Sequence, residues 1–255
     1  MILAIDVGNT NIVVGVIHRN REIFFIERLS TDTTKTEMEY AIDLKILLEL
    51  NHILPGQLEG GIIASVVPQI TYILKEAAEK ILKRNVLLVG PGVKNGLNIK
   101  MDNPASVGSD QIVDAVAAIE EYPLPLIIID MGTATTMSVV DTKKNYIGGV
   151  IMPGINVSLN ALTEHAAQLY GISLEAPKRT IGKNTVDCMR SGVIHGNAAC
   201  IDGMIDRMEK ELGQPATLVA TGGLAKVIMP HCKREIIVDD DLLLKGLRII
   251  YDKNR

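Results

Sequence analysis

The chain contains no Trp, and aromatic residues make up only 3% of its 255 residues. So few aromatics argue against a platform on which unpaired bases stack, the usual way of holding single-stranded nucleic acid. An excess of positive charge is missing too: 26 Lys and Arg stand against 30 Asp and Glu, a formal net charge of −4. With no basic field to attract a polyanion, nucleic acid is not expected as a partner. No apolar run approaches the roughly 18 residues of a membrane span, so no membrane partner is expected either. The three cysteines, Cys188, Cys200 and Cys232, are far apart and form no Cys-x-x-Cys pair. This argues against a zinc site or a disulfide frame and predicts buried, reduced thiols in a cytoplasmic protein. The opening Met1-Ile2-Leu3-Ala4-Ile5-Asp6 has no basic stretch and reads as a strand, not as a signal peptide.

What the chain does have is one short pattern written twice. Ile5-Asp6-Val7-Gly8-Asn9-Thr10-Asn11 ends an apolar run at the amino terminus, and Ile129-Asp130-Met131-Gly132-Thr133-Ala134-Thr135-Thr136 ends the run Leu126-Ile127-Ile128-Ile129. The two aspartates lie 124 residues apart (130 − 6), nearly half the chain. Each copy reads as a buried strand, an Asp-x-Gly turn and a second strand. Gly8 and Gly132 lack a Cβ, so the backbone can turn tightly and approach a ligand. Successive N–H groups in such a turn form an anion site, and Thr10 and Thr133 add hydroxyl donors. Asp6 and Asp130 cannot touch phosphate directly, because like charges repel, but they suit a cation or its bound water beside a phosphate. Either turn alone also reads as an ordinary hairpin; two copies at half-chain spacing point to two similar nucleotide-binding halves.

The surrounding pattern supports two halves. Ile2–Ile5, Ile12–Ile17 and Glu22–Leu29 read as strands, Glu37–Leu50 as a helix, Gly61–Val67 as a strand, Ile70–Leu82 as a helix and Val86–Val89 as a strand. That order is the one found in a ribonuclease-H-like half. Gly92–Gly108 is loop-like, and Ser109–Glu121 a helix. Tyr122-Pro123-Leu124-Pro125 marks the expected boundary between domains 1–122 and 123–255. The second half repeats the hairpins over Leu126–Ile129, Thr136–Asp141 and Tyr146–Met152. A helix is expected to follow, with Pro153 in its first turn and running through Gln168. Next come a long helix over Asn184–Leu212, a strand at Thr217–Ala220 and a last helix at Leu242–Asp252. The apolar set of the long helix, including Val186, Met189, Ile194, Ile201 and Met208, exceeds what one helix face needs and predicts pairing with a second copy. The expected fold is α/β, with two ribonuclease-H-like halves, each a mixed five-stranded sheet flanked by helices.

Two further patterns bear on chemistry. Gly108-Ser109-Asp110-Gln111 sits where a loop becomes a helix. Asp110 there reads either as a first-turn charge favoured by the helix dipole or as a general base taking the proton of a bound alcohol during phosphoryl transfer. Thr221-Gly222-Gly223 follows a strand and would let backbone approach adenine or ribose.

Taken in order, these pieces resemble the type III pantothenate kinases over essentially the whole chain. The matching residues are Asp6 to Asn11, Asn103-Pro104, Gly108-Ser109-Asp110, Asp130 to Thr136, Gly148-Gly149, Met152-Pro153-Gly154, Gly182-Lys183-Asn184-Thr185 and Thr221-Gly222-Gly223. The resemblance implies the actin-like ATPase fold and ATP-dependent phosphorylation of pantothenate, the first step of coenzyme A synthesis. It also implies a homodimer that uses Mg²⁺ and a monovalent cation, K⁺ or NH₄⁺. Asp6, Val7, Gly8, Asn9, Thr10, Asn11, Ile12 and Val13, with Thr133, Gly222 and Gly223, would bind ATP, Asp6 on the Mg²⁺ side. Asp130 would hold the monovalent cation. Asp110 would be the base, and Met101, Gly108, Ser109, Asp110, Gln111 and Thr185 would contact the substrate, Thr185 across the dimer. In two places the chain departs from the family pattern. Gln111 stands where the family usually has Arg, and Met101 where it usually has an aromatic residue. Gln supplies no charge for a substrate carboxylate, so a kinase for another small alcohol, or a nucleotide-binding regulatory homologue, is the alternative.

Overall fold

The computed structural model describes residues 1–255 as two compact units. The first comprises Met1–Leu97, Asp102–Glu120 and Asp241–Arg255, and the second Asn98–Met101 and Glu121–Asp240.

The first unit is built on a five-stranded mixed sheet. Its strands are β1 (Ile2–Val7), β2 (Asn11–Ile17), β3 (Ile23–Ser30), β4 (Gly61–Ser65) and β5 (Val86–Leu88), in the order β3-β2-β1-β4-β5. β1 pairs antiparallel with β2 and parallel with β4. Alternation along β1 decides what each face meets. Leu3, Ile5 and Val7 face a cluster completed by helices α1 (Glu37–Leu50) and α2 (Pro68–Leu82). Ile2 and Ala4 face a second cluster with α3 (Ser109–Glu121) and α7 (Leu242–Lys253). α1 starts on a capping box, in which the Thr36 hydroxyl accepts the Glu39 N–H and the Glu39 side chain accepts the Thr36 N–H.

The expected division at residue 122 would leave α7 in the second half; it packs instead with the first unit. Leu244, Leu247 and Ile250 join the cluster of Ile2, Ile62 and Val113. Gly246 lies so close to α3 that a Cβ there would strike the Val113 carbonyl. Arg248, 1% exposed, pairs with Glu59 at 3.1 Å and Asp252 at 2.6 Å. Burial by itself would raise the Glu59 carboxyl. Hydrogen bonds from Arg19 and Arg248, with the charges of the amino terminus and Arg255, outweigh it and hold the pKa at about 2, against an ordinary 4.5. A depressed folded-state pKa stabilises above the unfolded value, and that stabilisation fades as pH falls toward the folded one. The stability gap between the wild type and Glu59→Gln, read by urea unfolding, is therefore expected to be full at pH 7 and to shrink steadily between about pH 4.5 and pH 2. A gap constant over that range would show that the charge of Glu59 is not what matters.

The second unit carries a six-stranded sheet, one strand more than expected. It contains β6 (Asn98–Ile99), β7 (Leu126–Met131), β8 (Ala134–Val140), β9 (Asn145–Pro153), β10 (Thr217–Thr221) and β11 (Ile237–Val238), in the order β11-β10-β7-β8-β9-β6. Two of its strands lie where none was read: β11, and β6 from the segment read as loop, whose Asn98 and Ile99 pair in parallel with Asn145 and Tyr146 on the β9 edge. Two residues are too short a run for alternation to reveal. β9 also runs through Pro153, so α4 (Ile155–His165) begins after Gly154, later than expected, and ends earlier. α5 (Thr185–Leu212) follows, capped by Asn184, and then the short α6 (Ala225–Ile228). Ile127, Ile129 and Met131 pack against Ile194, Ala198, Ile201 and Ile205 of α5. Most of the apolar excess of α5 is therefore buried within its own unit. Cys188 and Cys200 are exposed and Cys232 half-buried, contrary to the expectation of buried thiols. No helix is long and apolar enough to cross a membrane.

Candidate active site

In the first unit Asp6 continues the row Ile2–Ala4 on β1, and the apolar cover of that face stops short of it, leaving the carboxylate half-exposed. Asp6 pairs with Val13 on one side and Ala64 on the other. The turn that follows closes with the Gly8 N–H donating to the Asn11 carbonyl at 3.0 Å, and a Cβ on Gly8 would come within 3.1 Å of that same oxygen. Asn9, Thr10 and Asn11 are exposed. Val7 and Ile12 are fully buried in the core, which leaves only their backbone for a ligand. Thr31, just past the end of β3, braces the turn: its hydroxyl donates to the Gly8 carbonyl at 2.6 Å and its N–H to the Thr10 carbonyl at 3.0 Å. Nothing in the sequence singles out Thr31, because its role depends on β3 lying beside β2.

Asp110 is the second residue of α3. Burial pushes its pKa up, opposed by the Gln111 N–H, which donates to Oδ1 at 2.8 Å, and by its own N–H. Gly108 makes this position possible, since a Cβ there would fall on Asp110 Oδ1. A desolvated carboxylate at the start of a helix has the character of a general base: raised proton affinity, yet ionisable beside the helix dipole. The Ser109 hydroxyl is engaged with the backbone of Ser65 at 2.9 and 3.0 Å.

The second unit repeats the arrangement with one residue fewer in the turn. Met131 pairs with Thr135, against Val7 with Ile12 in the first copy, and the Gly132 N–H donates to the Ala134 carbonyl at 3.0 Å. Gly154 braces it as Thr31 does the other, donating to the Thr133 carbonyl at 3.0 Å, and a Cβ on Gly154 would overlap that carbonyl. Asp130 is half-exposed and Thr133 exposed. Gly222 has φ +92°, and a Cβ on it would lie 2.5 Å from Asp130 Oδ1 and 2.6 Å from the Met131 nitrogen. Its missing side chain thus serves Asp130, while Gly223, with nothing within 4 Å of a Cβ, stays open. Met101 sits just past β6, its Sδ 3.6 Å from where a Cβ on Gly148 would be. In the Gly182-Lys183-Asn184-Thr185 segment, Gly182 packs on the Cys188 nitrogen, Asn184 caps α5 through the Asp187 N–H at 2.9 Å, and Thr185 is left exposed.

No group of three or more His, Cys, Asp or Glu side chains could hold a metal. A cation at Asp6 or Asp130 would find fewer than three such side chains and would take its other ligands from water, carbonyls or phosphate. Such a donor set suits Mg²⁺ and hard monovalent ions better than zinc.

The sequence profile described as type III pantothenate kinase matches residues 2–207. A type III pantothenate kinase of Exiguobacterium sp. strain AT1b is 46% identical over 255 residues, covering 100% of both chains. The one from Halalkalibacterium halodurans is 44% identical over 254 residues, again covering 100% of both. The chain belongs to the type III pantothenate kinase family. Among solved structures, a conserved protein of Campylobacter jejuni described as a Baf family transcriptional activator matches with a TM-score of 0.61 at 19% identity, covering 99% of this chain and 98% of that one. Component A of the (R)-2-hydroxyglutaryl-CoA dehydratase of Acidaminococcus fermentans matches with a TM-score of 0.57 at 15% identity, covering 98% and 96%. These likenesses bear on the fold alone, which is that of the actin-like ATPases.

Proposed function

We propose that this chain transfers the γ-phosphoryl group of ATP to the primary hydroxyl of pantothenate, giving 4'-phosphopantothenate at the start of coenzyme A synthesis. The observation that carries the reading is Asp110: a desolvated carboxylate fixed by the Gln111 N–H, given room by the missing Cβ of Gly108 and placed in the same unit as the turn Gly8–Asn11. Asp110 takes the hydroxyl proton as the oxygen attacks phosphorus, and ADP leaves. The exposed turn residues Asn9, Thr10 and Thr133 orient the phosphates, and positioning supplies most of the acceleration. Asp6 would hold Mg²⁺ through water and Asp130 a monovalent cation, K⁺ or NH₄⁺, which would neutralise charge developing on the phosphates. The three free thiols suit a reducing, cytoplasmic compartment.

The test is ADP release with ATP, Mg²⁺ and pantothenate in K⁺ and in Na⁺ buffer, with the product identified by mass. Turnover that depends on pantothenate and is stimulated by K⁺ is expected. Gln111 supports a second reading, a kinase for an uncharged small alcohol. Turnover with such alcohols but not with pantothenate would replace the first reading by the second.

The homodimer is assigned to the outer face of α5. Cys188, Gly192, Gly196 and Cys200 recur every fourth residue and are exposed, and a Cβ on Gly192 or Gly196 would meet nothing within 4 Å. Rows at this spacing run alongside each other when two helices cross at about −50°. An antiparallel pair centred on Ile194 sets Gly192 against the partner's Gly196 and Cys188 beside the partner's Cys200. Diamide oxidation is then expected to cross-link the dimer. Cys188→Ser and Cys200→Ser should each abolish the cross-link, and mixing the two variants should restore it. Cross-linking that survives either single substitution would rule out this register.

A further inference from the structure

The Ser109 hydroxyl is committed within the fold. It donates to the Ser65 carbonyl at 2.9 Å and accepts the Ser65 N–H at 3.0 Å. A serine hydroxyl has a single proton to give, so in this arrangement none is left for a substrate carboxylate or hydroxyl. Ser65 is the last residue of β4, which pairs with β1 so that Ala64 lies beside Asp6 and Ser65 beside Val7. The Ser65 side chain is occupied separately, by Thr71 Oγ1 at 2.7 Å and the Val67 N–H at 3.2 Å. The end of β4 is thus joined on one side to the strand that enters the first phosphate turn. On the other side it is joined to the residue immediately before Asp110.

We propose that Ser109 is a positioning residue for Asp110. Its hydroxyl docks the first turn of α3 on the end of β4 and so holds the Asp110 carboxylate in register with the turn Gly8–Asn11. This deepens the kinase reading and rests on it. The clamp works together with the contact that fixes Asp110 Oδ1, the Gln111 N–H that donates to it at 2.8 Å, in space that the missing Cβ of Gly108 leaves open. Removal of the Ser109 hydroxyl leaves the Ser65 N–H and carbonyl without their partner and frees the start of α3 to shift. Since proton transfer depends on the distance and alignment of the carboxylate, the loss should fall on the chemical step. A hydroxyl that touched pantothenate would instead act on binding.

The experiment compares wild type, Ser109→Ala and Ser109→Thr in kcat, in KM for pantothenate and in amide hydrogen exchange at Ser65. For Ser109→Ala, kcat is expected to fall on the order of 10- to 100-fold, as a displacement of about 1 Å can cause, with KM changed by less than about 3-fold. Ser109→Thr keeps the hydroxyl and should restore kcat. Exchange at Ser65 should quicken in the Ala variant and stay slow in the Thr variant. A raised KM with unchanged kcat would make Ser109 a substrate contact and overturn the proposal, as would an unchanged kcat with unchanged KM. Should Ser109→Ala fail to fold, Ser109→Cys, with its weaker donor, takes its place under the same criteria. A wild-type protein without turnover would sink the kinase reading, and the exchange comparison would still decide whether the clamp exists.

Discussion

Replacement of Asp110 by asparagine is expected to lower kcat about 10²- to 10⁴-fold, the usual worth of a positioned proton acceptor, while ATP affinity survives. Asn keeps the shape of the side chain but cannot take a proton. The same substitution should leave the protein as stable as the wild type or more stable. Burial raises the Asp110 pKa, so at neutral pH the folded state holds a carboxylate that would be better solvated in the unfolded chain. A neutral amide removes that penalty. The raised pKa also fixes the sign of the pH dependence. The base must be deprotonated, so kcat should climb with pH along an acid limb shifted upward from that of an ordinary aspartate, and that limb should vanish in Asp110→Asn. Stopped-flow or coupled-assay kinetics with calorimetric binding of ATP decide the matter. Near-normal turnover in the variant would remove Asp110 from the mechanism.

Gly222→Ala is expected to be nearly as damaging, for a different reason. Gly222 stands at φ +92°, where a Cβ would lie 2.5 Å from Asp130 Oδ1 and 2.6 Å from the Met131 nitrogen. A side chain in left-handed backbone costs about 1–2 kcal/mol, and a collision with strand backbone that cannot yield adds about 1–3 kcal/mol. The displaced atoms belong to Asp130 and to the strand that enters the turn at Gly132, which the proposed reading sets against ATP. ATP binding and its response to K⁺ should therefore fall together with thermal stability. Gly223→Ala is the control for stability: its Cβ would enter open space, and a change within about 0.5 kcal/mol is expected. Equal melting of the two variants would show that the close approach to Asp130 carries no weight.

These two substitutions divide along the line between what is local and what is not. The two Asp-x-Gly turns, the apolar strands before them, α3 with Asp110 at its start and the long α5 were all legible in the sequence. Each is signalled by residues that are neighbours along the chain: runs of Ile and Val, spacing of three and four, glycine where a turn needs it. Their order was legible too, and the full-length match to type III pantothenate kinases agrees with it. The tertiary structure decided what depends on contacts between distant residues. It moved α7 to the first unit, where the buried Arg248 meets Glu59, 189 positions away. It added Asn98–Ile99 to the edge of β9, a pairing too short to leave a periodic trace. It turned the apolar surplus of α5 inward and left a row of small residues outside. It also gave the motif residues their separate duties. Gly108 and Gly222 make room for two aspartates, Ser109 holds Ser65, and Val7 and Ile12 fill the core. The sequence by itself determined which residue types stand at the turns and in what order, because propensity and periodicity act over a few residues. Which backbone each side chain would meet was settled only by the packing of strands and helices far apart in the chain.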